Sequence, residues 1–199
     1  LTNVTFPASP LPQSANPKPV DYGAWQAPIA GGNSMRLDRL GNRFTMDVSM
    51  PRMKPEPTGR LWVSALLRSI GNFVLFPFPQ PGLVIGTPGS ALIDGAGQTG
   101  STLKLKTMTV GYVIREGQFL NADDGTYAAL FMCTADTTVG SDGKATVPIW
   151  PMIRNSPQNG APSYIAAPFI MGKLSGNEQG WTLERAGTRG LQFTITEVR

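Results

Sequence analysis

Histidine is absent from this chain of 199 residues, and cysteine occurs once, as Cys133. The first absence excludes triads that use imidazole as general base and zinc sites built on histidine. The second excludes an intramolecular disulfide and paired-thiolate metal sites, and it fits folding and assembly inside a cell. Charge is also sparse: Asp, Glu, Lys and Arg make up 15% of the chain, against about 25% in typical globular proteins. Much of the surface must be neutral, which suits either a surface covered by neighbours or one rich in solvated Ser, Thr, Asn and Gln. No run approaches the roughly 18 apolar residues of a membrane span, and the opening residues lack a basic-then-apolar leader pattern. The expectation is a soluble chain with no membrane partner.

Glycine (23) and proline (18) are what the chain has in quantity. Its length suits one large domain or two small ones. The net charge of +4 can be placed between Arg36 and Arg68, where Arg36, Arg39, Arg43, Arg52, Lys54, Arg60 and Arg68 face only Asp38, Asp47 and Glu56. Scattered solvated charge explains that excess more simply than a site for an anionic partner.

Residues 1–34 carry six prolines (Pro7, Pro10, Pro12, Pro17, Pro19 and Pro28) and little charge. They predict an extended arm that forms neither a helix nor a central strand. Its apolar residues, among them Leu1, Val4, Phe6, Leu11, Tyr22 and Trp25, are too many for a solvated linker. The arm should lie against its own domain or a neighbour, with Phe6, Tyr22 and Trp25 as candidate subunit contacts.

From Arg43 to Met50 the sequence alternates, Phe44, Met46, Val48 and Met50 on one face, as in a half-buried antiparallel strand. A helix should follow, capped by Thr58, with a stripe of Leu61, Trp62, Ala65 and Leu66 and a stop at Gly71. "NFVLFPFP" reads as a strand, and "QPGLVIGTPGS" as a possible boundary. Beyond it, "STLKLKTMTV", "YVIREGQFL", "TYAALFMCT" and "KATVPIW" read as strands of a small barrel or sandwich, joined as a meander of hairpins. Pro148 marks an edge strand or a bulge. Near the C-terminus, Leu191, Phe193 and Ile195 face inward from another one-sided strand. Residues 35–80 and 164–199 are therefore expected to form one β-rich domain with a single helix, and 81–163 a second β module inserted between them.

"DGAGQTGSTLKL" contains Gly95, Gly97 and Gly100 at the spacing of a dinucleotide loop. That fingerprint needs a helix after it, so that free N–H groups bind the pyrophosphate. A β-prone run follows instead, and Ser101 stands where a phosphate-binding Lys would. A turn or bulge with a strand starting near Ser101 is expected. Glu116, Asp123, Asp124, Asp136 and Asp142 could suggest paired catalytic carboxylates, but Asp123, Asp124 and Asp142 fall by glycines in hairpin turns, where Asp is favoured for backbone reasons. "NADDG" lacks the ladder of a calcium loop. Cys133 sits among apolar residues and reads as a buried structural thiol. Trp25, Trp62, Trp150 and Trp181 read as core or interface residues. No enzyme activity, catalytic residue, cofactor or metal is expected.

The order "MRLDRLGNRFTMDVSMPRM", a helix with Trp62, "GNFVLFPFP", "GSALIDGAGQTGSTLKL", and the stretch from Gly117 to Arg154 resembles the distal tail proteins of long-tailed bacteriophages and of gene transfer agents. The segment ending Met152-Ile153-Arg154 carries most of the likeness, which covers about residues 35–199. The resemblance implies a mainly β fold: a β-sandwich ring domain with one α-helix, carrying an inserted small β-barrel like an oligonucleotide/oligosaccharide-binding (OB) fold. It implies a structural component of the virion tail, assembled in the host cytoplasm: a homo-oligomeric, hexameric ring joining the tail tube protein to the baseplate hub protein. DNA would pass through its lumen without sequence-specific binding. Two alternatives stay open: a carbohydrate-binding module contacting the host surface through the barrel, with Tyr127 or Trp150 exposed, and nucleic-acid binding by the barrel.

Overall fold

The computed structural model describes residues 2–29, 31–176, 179–184 and 187–198. The N-terminal segment forms β1 (Asn3–Thr5) and β2 (Ser14–Val20), then a short ribbon of β3 (Ala24–Gln26) and β4 (Met35–Leu37). β5 (Arg43–Ser49) leads through a wide turn at Pro55–Gly59 into helix α1 (Arg60–Arg68), and β6 (Phe73–Pro77) follows. The middle of the chain supplies β7 (Gly89–Ile93), β8 (Gly100–Met108), β9 (Val113–Ile114), β10 (Phe119–Asp123), β11 (Ala128–Cys133), β12 (Thr137–Thr138), β13 (Ala145–Ile153) and β14 (Ser163–Tyr164). After these come β15 (Phe169–Leu174), β16 (Thr182–Glu184), β17 (Gly187–Arg189) and β18 (Gln192–Glu197). The protein is mainly β with one helix among the described residues, the class that its alternating runs predict. It divides into two compact units, one of residues up to Lys18 with Phe44–Leu83 and Ala167–Val198, the other of Pro19–Arg43 with Val84–Ala166.

The first unit is built on a six-stranded sheet in the order β1-β6-β15-β18-β5-β2. β1 runs parallel to β6, while β6, β15, β18 and β5 pair antiparallel in turn. Period-two alternation dictates which face is buried. Phe44, Met46, Val48 and Met50 point into the core with Phe193 and Ile195, while Thr45, Asp47, Ser49 and Thr194 stay half-exposed. The proline-rich segment lies along its own sheet, supplying both outermost strands. Pro17 and Pro19 in β2 fit an edge position, where a missing N–H costs no interior ladder bond. At Gly172 in β15 a Cβ would lie 2.2 Å from the Thr196 carbonyl oxygen, so only glycine permits this approach to β18.

Helix α1 buries Trp62, Ala65 and Leu66 and leaves Leu61 exposed, one residue fewer than its expected stripe. Thr58 does not cap it. The N-cap is Gly59, and the Arg60 N–H donates to the carbonyls of Pro55 and Pro57, so the wide turn supplies an acceptor where a capping hydroxyl would otherwise be needed. Gly59 is buried beside β17, where a Cβ would stand 2.6 Å from the Thr188 hydroxyl. Phe6, from the segment between β1 and β2, stacks between Trp62 and Phe193 at centroid distances of 5.4 and 5.0 Å and meets Phe76 edge-on at 5.8 Å. The Trp62 indole N–H donates to the Ser9 carbonyl at 3.0 Å, so this large ring is buried without an orphaned donor.

The second unit contains a six-stranded sheet in the order β14-β10-β11-β13-β8-β7. It curls until its ends meet: Leu92 bridges Pro162, the Ile93 N–H donates to the Ala161 carbonyl at 2.9 Å, and the Gly160 N–H donates to the Ile93 carbonyl at 3.0 Å. The result is a nearly closed barrel filled by Ile93, Leu103, Leu105, Ile114, Leu120, Phe131, Val147, Ile149 and their neighbours. Its strand order departs from a simple meander, because β8 pairs with β13 and not with β10. Pro148 lies in a central strand, at the start of a register shift that ends at Ile153; it marks a bulge, not an edge. The "YVIREGQFL" run forms two strands, split where the Gln118 N–H turns back to the Arg115 carbonyl at 3.0 Å.

Candidate interaction surface

The glycine loop is a turn entering β8, which begins at Gly100, and no helix follows it. Gly95, Gly97 and Gly100 have φ of 96°, 75° and 81°, in the left-handed region that glycine tolerates. The Gln98 side chain occupies the loop's interior, its amide donating to the carbonyls of Asp94, Gly95 and Lys104 and accepting from the Lys104 N–H at 2.7 Å. The Gly95 N–H is taken by Asn159 Oδ1 at 3.0 Å. The Asp94 and Gly95 N–H groups at the loop's start are therefore already satisfied within the chain.

The carboxylates are also spent on backbone. Asp123 accepts the Gly125 N–H at 2.7 Å, Asp124 the Thr126 and Tyr127 N–H groups at 2.9 and 2.7 Å, Asp142 the Lys144 N–H at 3.1 Å, and Asp136 the Glu116 N–H at 2.7 Å. These are turn-fixing bonds of the kind Asp makes in hairpin loops. Among the described residues no group of three or more His, Cys, Asp or Glu could hold a metal ion. Cys133 is fully buried in the barrel, and burial pushes its thiol up to about 12. A thiol so held is no nucleophile at neutral pH. Tyr127 is buried at 3% exposure and cannot serve as an exposed stacking ring, while Trp150 is half-buried.

Much of the basic excess is neutralised within the chain. Arg36 bonds Asp21 and Asp38 at 2.7 and 2.6 Å, Arg60 bonds Glu56 at 2.7 Å, and Arg52 approaches Glu184 at 3.5 Å. Asp47, on the exposed face of the first sheet, pairs with Lys18 and accepts from the Thr194 hydroxyl at 2.7 Å. These pairings favour scattered surface charge over a basic site.

What stands out on the surface is the ribbon of β3 and β4. No described residue between 19 and 40 is buried. Its register pairs Ala24 with Leu37, Trp25 with Arg36 and Gln26 with Met35, so Trp25 and Arg36 share one face while Ala24, Met35 and Leu37 share the other. The Arg36 guanidinium lies over the Trp25 ring at 5.7 Å, held there by its two aspartates. At the ribbon's base the Tyr22 N–H donates to Asn42 Oδ1 at 2.7 Å, and the Arg43 guanidinium covers the Tyr22 ring at 5.1 Å. Trp25 remains 66% exposed, Met35 63% and Leu40 56%. A two-stranded ribbon without a core is marginal in water, and the apolar residues exposed along it make it a candidate contact surface.

Of the candidate contacts read from the sequence, Tyr22 and Trp25 stand on this ribbon, while Phe6 is 6% exposed and consumed by its own unit. Met35 and Leu37 were not singled out by sequence reasoning. Their signal was weak, because "SMRLDRL" alternates only briefly and reads equally well as loop. Fold and surface define a two-unit β protein, one unit containing a sheet-and-helix core and the other a nearly closed barrel, with a ribbon that exposes Trp25, Met35, Leu37 and Leu40. No protein-family model matches the chain, and no curated protein matches it. No described helix is long and apolar enough to cross a membrane.

Proposed function

We propose that this chain is a non-enzymatic structural protein of a phage or phage-like tail tip, self-associating into a closed ring between the tail tube and the baseplate hub. The observation that carries the reading is the ribbon at residues 19–43: it exposes Trp25, Met35, Leu37 and Leu40 while having no core of its own. A ring closes through heterologous contacts, in which one surface of each copy meets a different surface of the next. A ribbon with aromatic and aliphatic side chains exposed along it suits such a contact, because Trp25 is already held against Arg36, which its two aspartates fix in place. The sequence resemblance supplies the tail setting and a ring of about six copies.

Mass per assembly tests this directly, by light scattering on the purified chain together with cryo-EM of particles. A multiple near six copies supports the ring, and a persistent monomer absent from particles overturns it. Trp25→Ala is expected to shift the assembly toward monomer while leaving unfolding within about 0.5 kcal/mol of the parent, as for an exposed side chain away from the core. A variant that unfolds early without losing assembly would assign Trp25 to folding instead.

A further inference from the structure

The outer face of the sheet unit carries a groove of about 570 Å³, within the size range of small-ligand sites. Three adjacent strands border it with short polar side chains: Ser14 and Asn16 on β2, Asp47 and Ser49 on β5, Gln192 and Thr194 on β18. The register sets Gln192 beside Ser49 and Thr194 beside Asp47. Solvated surfaces are ordinarily rich in long charged side chains, yet Asp47 is the one charged residue among the described residues that border this groove. Its charge is met by Lys18. Val48 and Phe193 reach the groove only through their backbone, since their side chains are buried in the core beneath.

Much of the lining is already ordered. The Thr194 hydroxyl donates to Asp47 at 2.7 Å, Ser175 and Thr196 share a hydrogen bond of 2.7 Å between their hydroxyls, and the Gln179 amide donates to the Ser175 carbonyl at 3.1 Å. Side chains fixed in this way lose little freedom when a ligand arrives. Among the described residues, none bonds to the Ser14 hydroxyl or the Asn16 amide, and the Gln192 amide meets Ser49 only at 3.5 Å. These groups keep hydrogen-bonding capacity for a ligand.

We infer that this groove binds a short neutral oligosaccharide. Hydroxyls and carboxamides both donate and accept, as sugar hydroxyls do, so each can meet a sugar hydroxyl in either sense. An anion would meet a carboxylate, with no cation to spare on the lining. A metal ion would find that single carboxylate already paired, too few ligands for a hard cation. An apolar ligand would strip water from polar groups and return no hydrogen bonds. No exposed ring borders the groove among the described residues, so recognition rests on hydrogen bonds, and each site should be weak, with Kd of about 1 mM. The groove lies on the sheet unit, apart from the ribbon and the barrel, so sugar binding and ring closure can each fail without the other.

Amide chemical shifts of the isotope-labelled full chain, followed while maltotriose, chitotriose or galactotriose is added, test this. The expected result is a saturating shift with at least one of these neutral probes, centred on Ser14, Asp47 and Thr194. Asn16 and Gln192 are exposed, so Asn16→Ala and Gln192→Ala should leave the unfolding midpoint in place. Each should weaken binding about three- to ten-fold, the loss of one hydrogen bond, and Trp25→Ala should not weaken it. The inference is overturned by shifts that fail to saturate with every probe, by shifts centred on Trp25 or on the barrel, or by binding that survives both groove substitutions. Tighter binding of an oligosaccharide of glucuronic acid, weakened by salt, would mark an anion site and also overturn it.

Discussion

In the sheet unit the core is aromatic, with Phe6 held between Trp62 and Phe193 and flanked by Phe76, whereas the barrel is filled by Ile, Leu and Val with Phe131 as its largest member. The difference follows from topology. An open sheet has a face that something must cover, and broad rings from the helix and from the segment after β1 cover it with few residues. A barrel covers its own interior, and a six-stranded one leaves room for branched aliphatic side chains in layers. The sheet unit thus depends on a few large anchors, and the barrel on many small ones.

Breaking an anchor should show the contrast most strongly. Phe6→Ala removes the ring between Trp62 and Phe193 and is expected to cost about 3–5 kcal/mol, read as earlier chemical unfolding of the sheet unit while barrel probes are unmoved. If barrel and sheet signals shifted equally, the units would not be separate cores. Leu105→Ala in the barrel should cost slightly less, about 2–5 kcal/mol. Its neighbours can relax toward the cavity, and the loss should fall on probes such as Cys133 reactivity, since a buried thiol with its pKa near 12 labels only on opening. The smallest effect concerns the sheet's exposed face. The Lys18 and Thr194 bonds hold Asp47 below the ordinary carboxylate value. Their contribution is therefore full above that ordinary value and is lost as pH falls through the lowered one. Both partners are well exposed, so Asp47→Asn should cost below about 1 kcal/mol at neutral pH. It should also flatten the acid limb of a stability-versus-pH curve, and an unchanged acid limb would show that the pair contributes nothing.

How much of this could be read from the sequence varies with the range of the interaction. Alternation at Phe44, Met46, Val48 and Met50, and at Leu191, Phe193 and Ile195, names the buried faces of β5 and β18 because period two is a local property. The turn at Gly95–Gly100 and the turn roles of Asp123, Asp124 and Asp142 were legible for the same reason. Thr58 was misjudged because its capping role depends on a turn whose carbonyls do that work. The burial of Phe6 and Tyr127 depends on partners far along the chain. Lys106 and Asn159 stand 53 residues apart, and only closure of the barrel brings them to 2.9 Å. The Trp25 surface was half legible: the aromatic was visible, but its pairing with Arg36 needs the ribbon's register.

The strands of the sheet unit come from both ends of the chain, whereas those of the barrel occupy one uninterrupted stretch from Gly89 to Tyr164. During synthesis every barrel strand has emerged before β15 and β18 exist. The barrel can therefore close while β1, β2, β5 and β6 still lack the two strands that lie between them. Contacts spanning most of the sequence form slowly, and unpaired strands are open to wrong partners while they wait. Proline in β2 blunts only the outer edge of the β5–β2 pair, so the edge of β5 that waits for β18 is the one left open to wrong partners.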